Sequence, residues 1–304
     1  MKKRWDELIV NPVLGRRYRR IWRVTVGVAA SGLVALFAFF TIFTSFGRWD
    51  DEGYFLLSYH DFLAGRIPYN QIFSFYGPFN FGSAALIARF NAANVTHDTF
   101  RWALLPVWIV IALLIAGVVW RWTGRFSLAV IALLLTGFNL RSLGEEVGHP
   151  QSWILLASAL LLWVGLDWIY LPSRQRRAFW SGLIIGVILL CKINMGIYAF
   201  VALALAVSLQ MRGRIRLFAI GIATTAAVGL GLLLLLSVST RSEELFVFTY
   251  LGSLTATVAF AFVRPAAHRP SLTSLKWLVA GLGICLCAGV CITLIWGTTI
   301  AALF

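Results

Sequence analysis

Three consecutive carboxylates, Asp50, Asp51 and Glu52, are the residues of this sequence best suited to chemistry. They follow an apolar run that is long enough to cross a membrane. Like charges this close raise one another's pKa values, so the group favours a shared proton, a cation or a basic substrate. Consecutive helical positions lie about 100° apart, so the three side chains cannot all face one ligand. A solvated helix end is the alternative interpretation.

A second polar segment, 141–150, lies between two apolar runs and carries Glu145, Glu146 and His149. These side chains could orient an acceptor or bind a divalent metal ion. Three side chains are few ligands for a metal ion. We therefore predict no metal and no other cofactor, with a divalent cation as the alternative. An ordinary loop, with Pro150 starting the next helix, is the other interpretation.

Lys192 lies within a long hydrophobic stretch, where a lysine is costly unless it is paired or reaches the interface. Residues 179–211 suffice for two short helices with basic flanks, which places Lys192 at a turn on the same side as the acids. We interpret Lys192 and Arg66 as ligands for a phosphate group; simple snorkelling is the alternative for Lys192. Arg89 and Arg101 are weaker candidates, because their depth depends on the topology of the preceding run.

The composition determines which elements can position these residues. Of 304 residues, 60% are hydrophobic and 12% are charged, whereas soluble domains carry about a quarter charged residues. A soluble globular domain is therefore excluded. We predict an all-α, multi-pass transmembrane helical bundle of about nine or ten apolar segments.

The net charge of +14 is distributed as a topology signal, because eight of the 26 Lys and Arg residues fall within residues 1–23. This pattern predicts a basic cytoplasmic segment at 1–23 and no nucleic-acid partner. One transmembrane domain, 24–304, is expected to follow, with an outer loop at 47–78. The short run 79–95 is predicted to be re-entrant or interfacial. Alternatively it crosses, and 126–140 does not span.

Under this topology the acids gather on the outer side of the membrane. Eight of the 12 acids lie there: Asp50, Asp51, Glu52, Asp61, Glu145, Glu146, Glu243 and Glu244. Orientation depends on Lys and Arg rather than on acids, so this clustering is an independent pointer to an extracytoplasmic site. Residues 55–63 are too polar to cross and predict a short interfacial helix. Such a loop suits a substrate whose lipid tail stays in the bilayer.

The outer loop resembles the first outer loop of membrane glycosyltransferases of the GT-C fold. The motifs that carry the resemblance are Asp51-Glu52-Gly53-Tyr54, Gly65-x-x-Pro68-Tyr69 and Tyr76-Gly77-Pro78. The family includes the protein O-mannosyltransferases and the bacterial aminoarabinose transferases. The resemblance is strongest over about residues 24–200, and the order and spacing of the motifs are more specific than any one of them.

The resemblance implies inverting transfer of a sugar from a polyprenyl-phosphate carrier to a glycan, lipid or protein acceptor. The reaction would take place on the outer face of the plasma membrane, the inner membrane of a bacterium. It implies Asp51 as the base, with Glu52 in support and Asp50 as a competing acid. Substrate and phosphate binding would fall to the following residues: Lys192, Arg66, Tyr76, Glu146 and His149. Such a transfer needs a carboxylate near the acceptor and positive charge where the phosphate leaves.

Two further functions stay open. One is a lipid flippase or small-solute transporter with an acidic outer vestibule, and the other is a non-catalytic membrane subunit. Transporters often show internal repeats, and no clear repeat is visible here, which favours the enzyme. Relatives usually run longer than this chain, so it is expected to be a minimal member, a fragment or a degenerate copy.

Overall fold

The computed structural model of the chain is helical and contains no strand in the residues that it describes. These residues are 12–45, 51–90, 95–144, 146–170, 175–209, 218, 221 and 272–299. The predicted all-α class is confirmed for this part of the chain. The apolar runs predicted near 217–238 and 246–263 fall almost wholly outside it.

Nine α-helices of 13 residues or more are described in that part of the chain. They are α1 (Pro12–Thr44), α2 (Asp51–Leu63), α3 (Pro78–Phe90), α4 (His97–Thr123), α5 (Phe126–Asn139), α6 (Gln151–Tyr170), α7 (Gln175–Cys191), α8 (Ile193–Leu209) and α9 (Leu272–Ile295). A short 3₁₀ turn, Leu140–Leu143, extends α5.

Four described helices are long and apolar enough to cross a membrane. Their crossing segments are Arg20–Thr44, His97–Thr123, Phe126–Leu143 and Leu275–Ile295. Each has at least 18 residues, close to the roughly 20 residues that cross a hydrocarbon core of about 30 Å. The length and composition of these helices therefore indicate a membrane protein.

Helices α2 and α3 have 13 residues each and are about 20 Å long, since an α-helix rises about 1.5 Å per residue. Neither is long enough to cross the hydrocarbon core. This length favours the re-entrant or interfacial interpretation of 79–95. The alternative, in which 126–140 does not span, is disfavoured because Phe126–Leu143 has the length and hydropathy of a span.

The described residues divide into two compact units. The first includes residues up to Trp163 and from Cys291 onward. In it, α4 and α5 form a hairpin closed by Gly124, whose φ of 65° suits glycine and whose N–H donates to the Trp120 carbonyl at 2.8 Å. Helix α1 packs on both helices, and Gly137 of α5 faces Val34.

Aromatic side chains fill the core of the first unit beneath α2 and α3. Phe55 and Tyr59 of α2 pack with Phe81 of α3 and with Phe100 and Trp108 of α4. The rings of Tyr59 and Phe100 are stacked, with centroids 5.3 Å apart. This core holds the two short helices against the N-terminal half of α4.

The second unit comprises Val164–Val290. Two of its helices, α7 and α9, pack closely at Gly182 and Gly186. A Cβ at Gly182 would collide with the backbone of Leu278, and one at Gly186 would lie 2.6 Å from Cβ of Cys285. Gly281 of α9 in turn meets the backbone of Phe179, so glycines on both sides allow α7 and α9 to touch.

Candidate functional site

The site is centred on an ion pair between Glu52 of α2 and Arg101 of α4. Arg101 donates from Nη2 to Oε2 of Glu52 at 2.8 Å and from Nε to Oε1 at 3.2 Å. Its Nη1 donates to the Ile42 carbonyl of α1 at 2.6 Å. Glu52 is 3% exposed and Arg101 is 1% exposed. Three helices therefore meet at one buried, hydrogen-bonded pair of charges.

The neighbouring chain surrounds this pair closely. His97 lies one helical turn before Arg101 on α4, and its Nδ1 is 3.4 Å from Oε1 of Glu52. A Cβ at Gly148 would lie 3.2 Å from Cγ of Glu52, so the loop after α5 packs tightly against this acid. Transferring a carboxylate out of water costs on the order of several kcal/mol. A buried carboxylate therefore needs close partners such as these.

Of the three acids of the first motif, the structure describes the side chain of Glu52 alone. Glu52 is held by Arg101, so it is suited to fixing α2 rather than to accepting a proton. Asp51 is the first residue of α2. Asp50 lies outside the described residues, as do the side chain of Asp51 and the whole of Glu145.

Tyr76 and His149, which the sequence analysis selected separately, lie in contact. The Tyr76 hydroxyl is 2.8 Å from Nε2 of His149, and Nδ1 of His149 accepts the backbone N–H of Gln151 at 3.2 Å. Because Nδ1 accepts, the proton of the neutral imidazole lies on Nε2 and is donated to the Tyr76 oxygen. Phe55 packs edge-on against both rings.

Phe55 and Gly148 connect the two polar pairs. Phe55 is one turn after Glu52 on α2, and Gly148 directly precedes His149. Glu146 accepts the backbone N–H of His149 at 3.0 Å through its carbonyl oxygen, which shapes this loop. The first outer loop and segment 141–150 are therefore in contact in the structure.

Arg66 lies in an exposed part of the loop after α2. Its Nη1 is 3.0 Å from Oδ2 of Asp61, and its side chain is 61% exposed. The following turn is tight: Tyr69 has a φ of 66°, and its hydroxyl donates to the Tyr76 carbonyl at 2.8 Å. Burial raises the pKa of the Tyr69 phenol well above its ordinary value.

Lys192 belongs to the second unit and is described by itself. Helix α7 ends at Cys191 and α8 begins at Ile193, so the two short helices expected over 179–211 are present, with Lys192 at their turn. A Cβ at Gly196 would collide with Leu189, which shows how sharply the chain reverses. Lys192 is half-buried there.

In the part of the chain that the structure describes, no group of three or more His, Cys, Asp or Glu side chains could hold a metal ion. The described cysteines lie in α7 and α9, and none of them forms a disulfide.

Sequence reasoning missed His97 and considered Arg101 only as a weaker candidate for binding the phosphate. A signal for the pairing was nevertheless present. The buried face of α2 is formed by Glu52, Phe55, Leu56 and Tyr59, which have the i, i+3, i+4, i+7 spacing of an apolar helical stripe. An acid on such a stripe needs a buried cation as its partner. Arg101 lies in the apolar helix α4, so its charge in turn needs an acid.

Comparisons of this chain with protein-family models, with curated proteins and with solved structures give no match. The resemblance to GT-C glycosyltransferases therefore remains a prediction based on the three loop motifs.

Proposed function

We propose that the protein transfers a sugar from a polyprenyl-phosphate carrier to an acceptor at the membrane surface. One observation carries the proposal: the buried Glu52–Arg101 pair fixes the first turn of α2, and with it Asp51, beside Ile42 of α1. Ile42 and Arg101 lie near the ends of two candidate membrane spans. In this proposal Asp51 lies at the level where a lipid-linked head group meets water.

Asp51 is the base in this proposal. Consecutive positions on an α-helix are about 100° apart, so position 51 lies on a different face of α2 from Glu52. Glu52 is committed to Arg101 and acts as a positioning residue. In this scheme Glu52 holds α2 in place and Asp51 acts on the substrate.

The proposed reaction moves the sugar from the carrier phosphate to the acceptor. Asp51 accepts the proton of the acceptor hydroxyl or amine as that atom forms a bond to the anomeric carbon. The bond from that carbon to the phosphate oxygen breaks, and polyprenyl phosphate leaves with its electron pair. Positive charge stabilises the leaving phosphate. We assign this role to Arg66, which would exchange Asp61 for the phosphate.

The Tyr76–His149 pair lies beside α2 and supplies polar atoms next to the same helix. We assign it to the hydroxyl groups of the sugar or the acceptor, together with Glu146. No metal or other cofactor has a role in this scheme. The membrane is taken to be the plasma membrane, or the inner membrane of a bacterium, with the site on the extracytoplasmic side.

The experiment uses the full chain in proteoliposomes that contain a polyprenyl phosphate carrying a radiolabelled sugar. Membrane extract, supplied as a mixture of glycans, lipids and proteins, provides the acceptor. The proposal predicts that label leaves the carrier and appears in an acceptor fraction. Movement of intact labelled carrier between leaflets without transfer would contradict it and identify a flippase instead.

A further inference from the structure

A groove of about 640 Å³ follows α1 where this helix meets α4 and α5. Arg23 lies at one end, and the lining continues through Gly27, Ser31 and Gly32 to Ala35. The groove is within the first compact unit and is separate from the proposed transferase site.

The floor of the groove is open and apolar. A Cβ at Gly32 would meet nothing within 4 Å, and one at Gly27 would meet only the ring of Phe126, at 3.9 Å. The hydroxyl of Ser31 donates to the Gly27 carbonyl at 2.8 Å, so it is already satisfied within the helix. Such a surface accepts a hydrocarbon chain better than a polar ligand.

The length of the groove suits one leaflet of a bilayer. Residues 24 to 35 span about 17 Å of helix, at about 1.5 Å per residue. Half of a hydrocarbon core of about 30 Å is about 15 Å. An acyl chain that begins at Arg23 would therefore reach the bilayer midplane near Ala35.

The Arg23 end has the features of a membrane–water interface. Trp22 and Trp120 both pack edge-on against Phe126, with ring centroids 6.3 and 6.1 Å apart. Aromatic side chains of this kind collect at head-group level. The first turns of α1, residues 12–23, carry five arginines and no acid, so the charge at this end is strongly positive.

We propose that this groove is a binding site for an anionic phospholipid. The lipid phosphate lies at Arg23, and one acyl chain lies along Gly27, Ser31 and Gly32. Charge complementarity selects an anionic lipid over a zwitterionic one. It also disfavours a second copy of the chain, because two parallel copies of α1 would bring their basic segments together.

The test is native mass spectrometry of the full chain in detergent. Phosphatidylglycerol and phosphatidylcholine with identical acyl chains are added separately. We expect phosphatidylglycerol to bind about fivefold more tightly, the effect of one basic residue at a membrane surface. Arg23→Gln removes this preference, whereas Arg176→Gln, at an exposed arginine in the first turn of α7, retains it.

A second variant tests the acyl-chain part of the site. Gly32→Leu fills the groove and lowers the binding of both lipids. Its matched control is Gly283→Leu, at another helical glycine where an added Cβ meets nothing within 4 Å. At both positions an added Cβ meets nothing within 4 Å, so both variants are expected to fold.

Three results would overturn the proposal. Equal binding of the two lipids, or an unchanged preference in Arg23→Gln, would remove the phosphate contact. Displacement of the lipid by soluble glycerol phosphate would indicate a site for a free anion. A dimer that Gly32→Leu abolishes, with lipid binding unchanged, would show that a second copy occupies the groove.

Discussion

The Glu52 carboxylate and the Arg101 guanidinium form a two-point ion pair that joins the start of α2 to the first turns of α4. The two donor–acceptor distances are 2.8 and 3.2 Å. The same guanidinium reaches the Ile42 carbonyl of α1 at 2.6 Å. This pair determines where the first outer loop lies relative to two candidate membrane spans.

Removing one member of the pair should destabilise the fold strongly. Glu52→Leu and Arg101→Met each leave an uncompensated buried charge, so we expect each to lower the free energy of unfolding by about 3–5 kcal/mol. The double variant should be more stable than either single variant, because it leaves no orphaned charge. Thermal unfolding in detergent measures this cycle. Additive losses in the double variant would show that the two side chains are not coupled.

His97 should contribute much less than Arg101. Its Nδ1 is 3.4 Å from Glu52, and its side chain is 47% exposed. Exposed ion pairs are typically worth about 0–1 kcal/mol. We expect His97→Ala to shift the unfolding temperature only slightly under the conditions used for Arg101→Met. A loss as large as that of Arg101→Met would make His97 an equal member of the cluster.

Burial of the Tyr69 phenol should make the folded protein less stable at alkaline pH. A tyrosine in an unfolded chain loses its proton near pH 10, but burial raises the pKa of Tyr69 in the folded protein. Above about pH 10 the folded state holds a proton that the unfolded state releases, so stability falls as the pH rises.

Tyr69→Phe separates the two contributions of this side chain. At pH 8 it should cost about 1 kcal/mol, from the lost hydrogen bond to the Tyr76 carbonyl. Between about pH 9.5 and 11 it should lose stability less steeply than the wild type. Unfolding temperatures measured over this range test the prediction, and parallel curves for the two proteins would refute it.

Gly182→Ala should destabilise the second unit, because the added methyl group collides with the backbone of Leu278. Overpacking of this kind costs about 1–3 kcal/mol. Gly283→Ala, on α9, is the matched control, since nothing lies within 4 Å of its added Cβ. Equal unfolding temperatures for the two variants would mean that α7 and α9 do not touch at Gly182.

Much of the fold could be predicted from the sequence, because membrane spans are determined by local hydropathy and by the length needed to cross. The turn at Lys192 followed from two apolar runs with basic flanks, and the short helix α3 followed from the small extent of its run. Both features depend on residues close together in the chain.

The site could be predicted only in part. The motifs selected Glu52, Tyr76 and His149, but nothing local shows that Tyr76 contacts His149, 73 positions away. In the sequence the three acids form one charged group. In the structure Glu52 belongs to the buried stripe of α2 and lies in the core. A partner 49 positions away then decides what this acid does.

The most direct test of the proposed function compares sugar transfer by Asp51→Asn and Glu52→Gln with transfer by the wild type, at a temperature where all three proteins are folded. The proposal predicts that Asp51→Asn lowers the transfer rate by about 10²–10⁴-fold, the usual contribution of a general base, with an unchanged unfolding temperature. Glu52→Gln should instead lower the unfolding temperature. Transfer at the wild-type rate by folded Asp51→Asn would contradict the assignment of Asp51 as the base.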